Sequence, residues 1–356
     1  MANAIEYLKW RGDLNFEAAP INEIDLFLFS QVSMIDFGGL VPADGAGVML
    51  SKAAEKYFET HDTDVKKNLG VLQARSVLDA FKLMGESARF GGVLLSGYEN
   101  HVNEKNEEQF SATTFRLSPQ VFAVAFRGTD DTIIGWKEDC NLAIYDEVPA
   151  QKDAKEYLRR AAETHKGKIV VLGHSKGGNL AVYAAMHATK KIKDRILRVI
   201  NFDGPGLRKN VISGSQDYAY IKDKITTIRS ENSLVGTLLE LPGTSVVVKT
   251  SAEGLLAHDG FQWDVDVNHF ARAKGLNLFS KGFEKAFKKT MSDMSEDEML
   301  EFVEELFGIL FSTGAETLTD FHQISLNQKL LAANKTINSR AIRDFSATLL
   351  KAFVIK

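Results

Sequence analysis

The chain has a single cysteine, Cys140, so no disulfide can form within it, and that usage suits a reducing compartment. Standing among Trp136, Leu142 and Ile144, this cysteine reads as a small apolar packing residue rather than a reactive thiol. There is also no uninterrupted apolar run of about 18 residues, the length a membrane-spanning helix needs. The N-terminal MANAIEYLKWRGDLNF lacks the basic stretch and apolar core of a secretory signal, so a cytoplasmic protein is expected. Charge of one sign is not in excess. A net −4 over 356 residues offers no electrostatic footprint for nucleic acid or an acidic membrane. No internal repeat or low-complexity linker is evident. What remains is an ordinary globular composition, 44% hydrophobic and 25% charged, long enough for one large domain or two smaller ones.

The hydrophobic pattern divides the chain into zones. Residues 22–25 suit a helix start, with Leu26, Phe27, Phe29 and Val32 on its apolar face, and residues 63–84 repeat the helical period through Val65, Leu69, Leu72, Val77 and Leu78. Residues 92–127 read as three strands, with the charged run NEKNEEQ as a solvated hairpin tip. Beyond Arg127, strands alternate with helices: a helix over 153–165, a strand over 168–173, a helix over 175–189, then strands over 196–202, 225–230 and 244–250. Such alternation predicts an α/β protein with a mostly parallel sheet and helices on its faces. From about residue 275 the pattern turns helical. Ser295 and Glu298 form a capping box, and Met299, Phe302, Val303, Leu306, Phe307 and Leu310 recur at helical spacing, as do Ile342, Phe345, Leu349 and Phe353. The expected organisation is a main domain over 1–274 and a C-terminal helical extension over 275–356 that packs on or beside it.

The densest chemical signal is KIVVLGHSKGGNLAVYAAM at 168–186, a strand, a glycine-flanked serine and a small-residue helix. Gly173-His174-Ser175-Lys176-Gly177 has the G-x-S-x-G form of a nucleophile elbow, a sharp turn that thrusts the serine hydroxyl toward a base. The flanking positions need glycine because a Cβ there meets neighbouring backbone. Ligands in such folds sit at the carboxyl ends of the strands, where Ser175 falls.

A nucleophilic serine requires a base, an acid to orient it, and donors for the oxyanion. His258, in the loop after the 244–250 strand, is the preferred base; His269 lies in an extended run and His322 in the helical tail. Asp203, at the end of RILRVINF and opening a rigid Asp-Gly-Pro-Gly turn, is the preferred acid, with Glu231 one strand later as its rival. Asp259 is too close in sequence to His258 to orient it. The Lys176 amide and Thr129, after the strand VFAVAF, are the candidate oxyanion donors. A lysine in the first turn of a helix opposes the macrodipole. His174, on the strand side of the elbow, reads as packing.

On these residues the chain resembles the lipase-like α/β-hydrolases. FRGTDDTIIGWKEDC is similar to the segment of class 3 lipases that supports the oxyanion, GHSKGGNLA to their elbow, and VINFDGPGL to the strand and triad aspartate of the pancreatic lipase family. With NSLVG and AHDGFQW added, residues 20–270 look most like a bacterial family of cytosolic lipase-like hydrolases called Mbeg-like. The resemblance implies an α/β-hydrolase fold, a Ser175–His258–Asp203 triad, oxyanion donors at Thr129 and Lys176, and hydrolysis of a carboxylic ester on a small molecule or lipid, without metal or organic cofactor. Acyl transfer to an alcohol or thiol stays open. In one respect the chain departs from class 3 lipases: Ser233 stands where they carry the triad aspartate. Either the acid has moved to Asp203 or the triad is incomplete, which would leave a binding or scaffold protein. Membrane-surface action on lipids through an apolar lid or the tail is the alternative to a packing role for the C-terminal helices.

Overall fold

A computed structural model describes residues 2–44, 46–61, 76–317, 320 and 324–325. Its centre is an eight-stranded sheet: β1 (Val48–Met49), β2 (Leu94–Asn103), β3 (Glu108–Ser118), β4 (Val121–Phe126), β5 (Lys168–His174), β6 (Ile196–Phe202), β7 (Ile225–Ser230) and β8 (Thr244–Val248). The strands lie side by side in the order in which they occur in the chain. β1 to β4 form an antiparallel meander, and β4 to β8 run parallel.

Alternation along each strand fills two cores. Phe122, Val124, Ile169, Val171 and Val199 face one side, where helices α6 (Pro149–Thr164) and α7 (Lys176–His187) pack. Ala123, Ala125, Val170, Leu172, Ile200 and Phe202 face the other, covered by α1 (Ala4–Arg11), α2 (Glu23–Val32), α3 (Leu50–Thr60) and α4 (Ser76–Glu86). Both faces of the sheet are therefore apolar, which is why β4 to β6 read as near-continuous hydrophobic runs. Asn22 caps α2 through its side chain, as its position before the apolar run predicts. The carboxylate of Asp25 is fully buried against the Arg89 guanidinium and accepts from the Tyr7 hydroxyl at 2.8 Å, tying the N-terminal helices to the loop before β2.

α5 (Ile133–Asn141) follows β4, and two further helices, α8 (Leu278–Asp293) and α9 (Glu296–Ser312), follow the sheet. α9 begins at the expected Ser295–Glu298 capping box. Its Met299, Val303 and Phe307 pack on Ile133 and Ile144 around α5, and Lys137 reaches Glu304 at 2.7 Å. Of the predicted 63–84 helix, residues 63–75 lie outside the described residues, and the helix α4 begins at Ser76. The second tail repeat, through Ile342 and Phe353, also lies outside them.

The charged run at 103–109 differs from its expected role. It does turn the chain, but Glu108 and Gln109 are buried under α5 and α6, and Glu107 bonds Lys137 and Asn141. Cys140 is partly buried at the edge of the α5–α9 cluster, and burial pushes its thiol up to about 12. No helix among the described residues is long and apolar enough to cross a membrane.

Candidate active site

β5 ends at His174, and the chain turns at Ser175 with φ 57° and ψ −132°, a backbone conformation unfavourable for any residue with a side chain. Neighbouring backbone crowds both flanks of the turn, where only glycine fits. A Cβ on Gly173 would lie 2.2 Å from the Gly177 backbone, and one on Gly177 2.1 Å from the Phe126 carbonyl oxygen. The Ser175 amide donates to the Phe202 carbonyl at 3.0 Å, so β6 pins the elbow from the side. α7 starts immediately after it. Ala181, Ala184 and Ala185 are wholly buried, letting α7 lie close to the sheet.

Two of the sequence-predicted partners meet. His258 Nδ1 lies 2.7 Å from Asp203 Oδ2, 55 residues away in the chain. Asp203 follows β6 with φ 49° and is fully buried. His258 closes a short 3-10 turn, Gly254–His258, that the Trp263 indole holds by donating to the Ala257 carbonyl at 2.9 Å. Burial raises the Asp203 carboxyl above its ordinary range. The opposing influences are the hydrogen bonds from His258 and Ser233 and the positive charges of His258 and Arg229.

Ser233 is part of this arrangement. Its hydroxyl donates to Asp203 Oδ1 at 2.5 Å and accepts from the Gly236 amide at 3.0 Å. The serine at the class 3 aspartate position thus serves the carboxylate that sits one strand earlier. Glu231, the rival acid, instead accepts from the Thr250 amide at 3.3 Å. Asp259 caps its own turn by accepting from the Phe261 amide at 3.0 Å. His269 bonds the Phe270 carbonyl in the small hairpin β9 (Val265–Asp266) and β10 (His269–Phe270), and His322 lies outside the described residues.

His174 packs, as expected, but its partner is His258. The rings lie 4.5 Å apart, tilted by 30°, and His174 Nε2 is 2.9 Å from the His258 carbonyl oxygen. Burial, then repulsion from His258, lowers His174 to about 3. It is therefore neutral at physiological pH and donates its Nε2 proton to that carbonyl. The stack places His258 against the residue that precedes Ser175; the Ser175 hydroxyl itself makes no hydrogen bond with His258.

Lys176, the residue whose cation opposes the macrodipole of α7, points into the interior. The side chain is fully buried, with Nζ donating to the Gln109 carbonyl at 2.8 Å and to Glu138 Oε2 at 3.0 Å. Glu138 is also fully buried and accepts from the amides of Gln109 and Ala150 at 2.9 and 2.8 Å. The cation that opposes the macrodipole of α7 is neutralised from α5. The next residue of α5, Asp139, accepts the Thr129 hydroxyl at 2.5 Å. Burial raises the Asp139 carboxyl to about 6, against the Lys176 charge and the Thr129 hydrogen bond. Both candidate oxyanion residues are thus held by consecutive carboxylates of one helix. Sequence reasoning missed Glu138, Asp139, Ser233 and the His174 stack. Only the Glu138-Asp139 pair carried a signal, as part of the FRGTDDTIIGWKEDC segment that resembles class 3 lipases.

The mostly parallel sheet flanked by helices, with the elbow after β5, is the α/β-hydrolase fold. The chain belongs to the Mbeg1-like family, whose model matches residues 84–308. That span starts later than the motif resemblance over 20–270 and runs further, taking in α8 and most of α9. No curated protein sequence matches the chain significantly. Among solved structures it is similar to M37 lipase, at 15% identity, TM-score 0.39, over 75% of this chain and 79% of that one. It is similar to a fungal lipase at 12% identity, TM-score 0.41, over 74% and 92% respectively. A variant of MDLA from Penicillium cyclopium matches at 16% identity, TM-score 0.37, over 66% and 90%.

Proposed function

We propose that this protein is a serine hydrolase that cleaves a carboxylic ester through an acyl-enzyme. The observation that carries the reading is the 2.7 Å bond from His258 Nδ1 to the buried Asp203, formed beside the strained elbow of Ser175. With Nδ1–H engaged by the carboxylate, Nε2 keeps the lone pair of a general base. Ser175 Oγ attacks the ester carbonyl carbon as its proton passes to Nε2. The oxyanion is held by the backbone amides of Thr129 and Lys176; the Thr129 hydroxyl is committed to Asp139. Collapse returns the proton to the departing alkoxide, giving the alcohol. Water, deprotonated by the same nitrogen, then releases the acid and restores Ser175. An alcohol or thiol in place of that water would make the same site an acyltransferase. None of these steps calls on a metal or organic cofactor. Ser233 in place of the class 3 aspartate suggests a binding or scaffold protein instead; the bond from Ser233 to Asp203 supports the hydrolase reading.

A fluorophosphonate probe tests the proposal. Stoichiometric labelling of the wild-type chain that disappears in Ser175→Ala supports it. A wild-type chain that is neither labelled nor active on short p-nitrophenyl esters overturns it.

A further inference from the structure

Three side chains outside the hydrolase site converge where the β2–β3 hairpin meets α6. The ligand atoms of His101 on β2, Glu108 on β3 and Asp153 on α6 all lie within 4.8 Å of one another. His101 Nδ1 is 3.0 Å from Asp153 Oδ2. Glu108 is largely buried, whereas the side chains of His101 and Asp153 are 49% and 35% exposed, so the cluster is closed on its inner side and open to solvent on its outer one.

Two partly buried carboxylates nearby are paired by cations of α6, Glu99 by Arg160 and Glu147 by Lys155. Among the described residues, neither Glu108 nor Asp153 has a lysine or arginine partner; Glu108 hydrogen-bonds Asp153, and His101 completes the group. Two carboxylates and one imidazole supplied by three separate elements make a donor set of intermediate hardness. Such a set suits a divalent transition ion better than calcium, which takes six to eight oxygens. Bonds of about 2.0–2.2 Å to tetrahedral zinc place its ligands roughly 3.3–3.6 Å apart. The His101–Asp153 separation is already near that value, and His101 is exposed enough to adjust.

We propose that His101, Glu108 and Asp153 bind a divalent transition-metal ion of the zinc class, with water in the fourth, outward position. The ion joins the hairpin to α6. It also lies one residue from Gln109, whose amide and carbonyl bond Glu138 and Lys176 behind the elbow. The site is independent of the ester-hydrolase reading and survives its failure.

The test uses the full chain, stripped with a chelator, in calorimetric titrations with Zn²⁺ and in thermal unfolding with and without it. Expected are one Zn²⁺ per chain, a rise in the unfolding midpoint on saturation, and no comparable response to Ca²⁺. Loss of a second-shell contact to a metal costs about 10–100-fold in affinity, so losing a ligand in His101→Ala or Glu108→Gln should weaken binding at least tenfold. His101 is exposed, so His101→Ala should fold even where Glu108→Gln does not. Co²⁺ should give visible absorption in the wild type that disappears in His101→Ala. Absence of saturable Zn²⁺ binding, or binding that both folded variants retain unchanged, overturns the proposal.

Discussion

Asp203→Asn is the most informative substitution, because its effect separates orientation of the base from every other role of that residue. Asp203 has φ 49°, which asparagine tolerates and alanine does not, so the isosteric change leaves the turn after β6 unstrained. Its amide donates to the Ile228 carbonyl at 2.8 Å, a bond the substitution keeps. What is lost is the charge 2.7 Å from His258 Nδ1. No described acid replaces it: Glu231 is bonded to the Thr250 amide, and Asp259 to Phe261 and Gln262. Loss of the orienting carboxylate in a serine triad costs about 10⁴ in turnover, roughly 5 kcal/mol of barrier. The expected outcome is a fall in kcat of that order on p-nitrophenyl esters, with KM little changed because Asp203 is buried behind the imidazole. The unfolding midpoint measured alongside should stay near the wild type. Glu231→Gln should keep activity within about threefold, the size of a surface hydrogen bond. A near-wild-type rate for Asp203→Asn beside a collapse in Glu231→Gln would refute the assignment of the acid.

Three other outcomes follow from the same geometry. Ser233→Ala removes a donor that favours the ionised form of Asp203, so the carboxyl rises further and the acid limb of the rate profile moves to higher pH; an unmoved limb would exclude this role. Glu138→Gln leaves the buried Lys176 cation without its counter-charge and should destabilise the fold by about 3–5 kcal/mol in urea unfolding, while adding Lys176→Met should recover much of the loss. His174, held near 3 when folded against an ordinary value of 6.5, refuses a proton that the unfolded chain accepts between those pH values. Stability therefore declines as the pH falls through that window, and His174→Gln should reduce the slope by about 1.4 kcal/mol per pH unit, whereas parallel curves would contradict the burial of the ring.

The parts legible in the sequence were those that backbone geometry or local period imposes. Gly173 and Gly177 mark the elbow because neighbouring backbone excludes a Cβ there, and Ser295–Glu298 marks the start of α9 because a helix end needs its amides capped. The order Ser175, Asp203, His258 was readable because each follows a recognisable strand. The buried network was not. Lys176 and Glu138 lie 38 residues apart, and nothing in the local pattern around either says that α5 crosses behind the elbow. Glu108 and Gln109 looked solvated because a run of charge is usually a turn, but α5 and α6 close over them. Ser233 reads as a lesion because a sequence shows the residue that is missing, not the carboxylate brought to it from the preceding strand's loop.

The order of the strands in the sheet is also an order in time. Because β1 to β8 lie side by side as they occur in the chain, each strand emerging from the ribosome finds its neighbour already made. The elbow can form once β6 is present to receive the Ser175 amide, yet His258 follows only after β8. At ~5–20 residues per second, the nascent chain carries Ser175 for several seconds before His258 is made. On the proposed assignment, Ser175 and His258 come together only after all eight strands of the sheet have been synthesised.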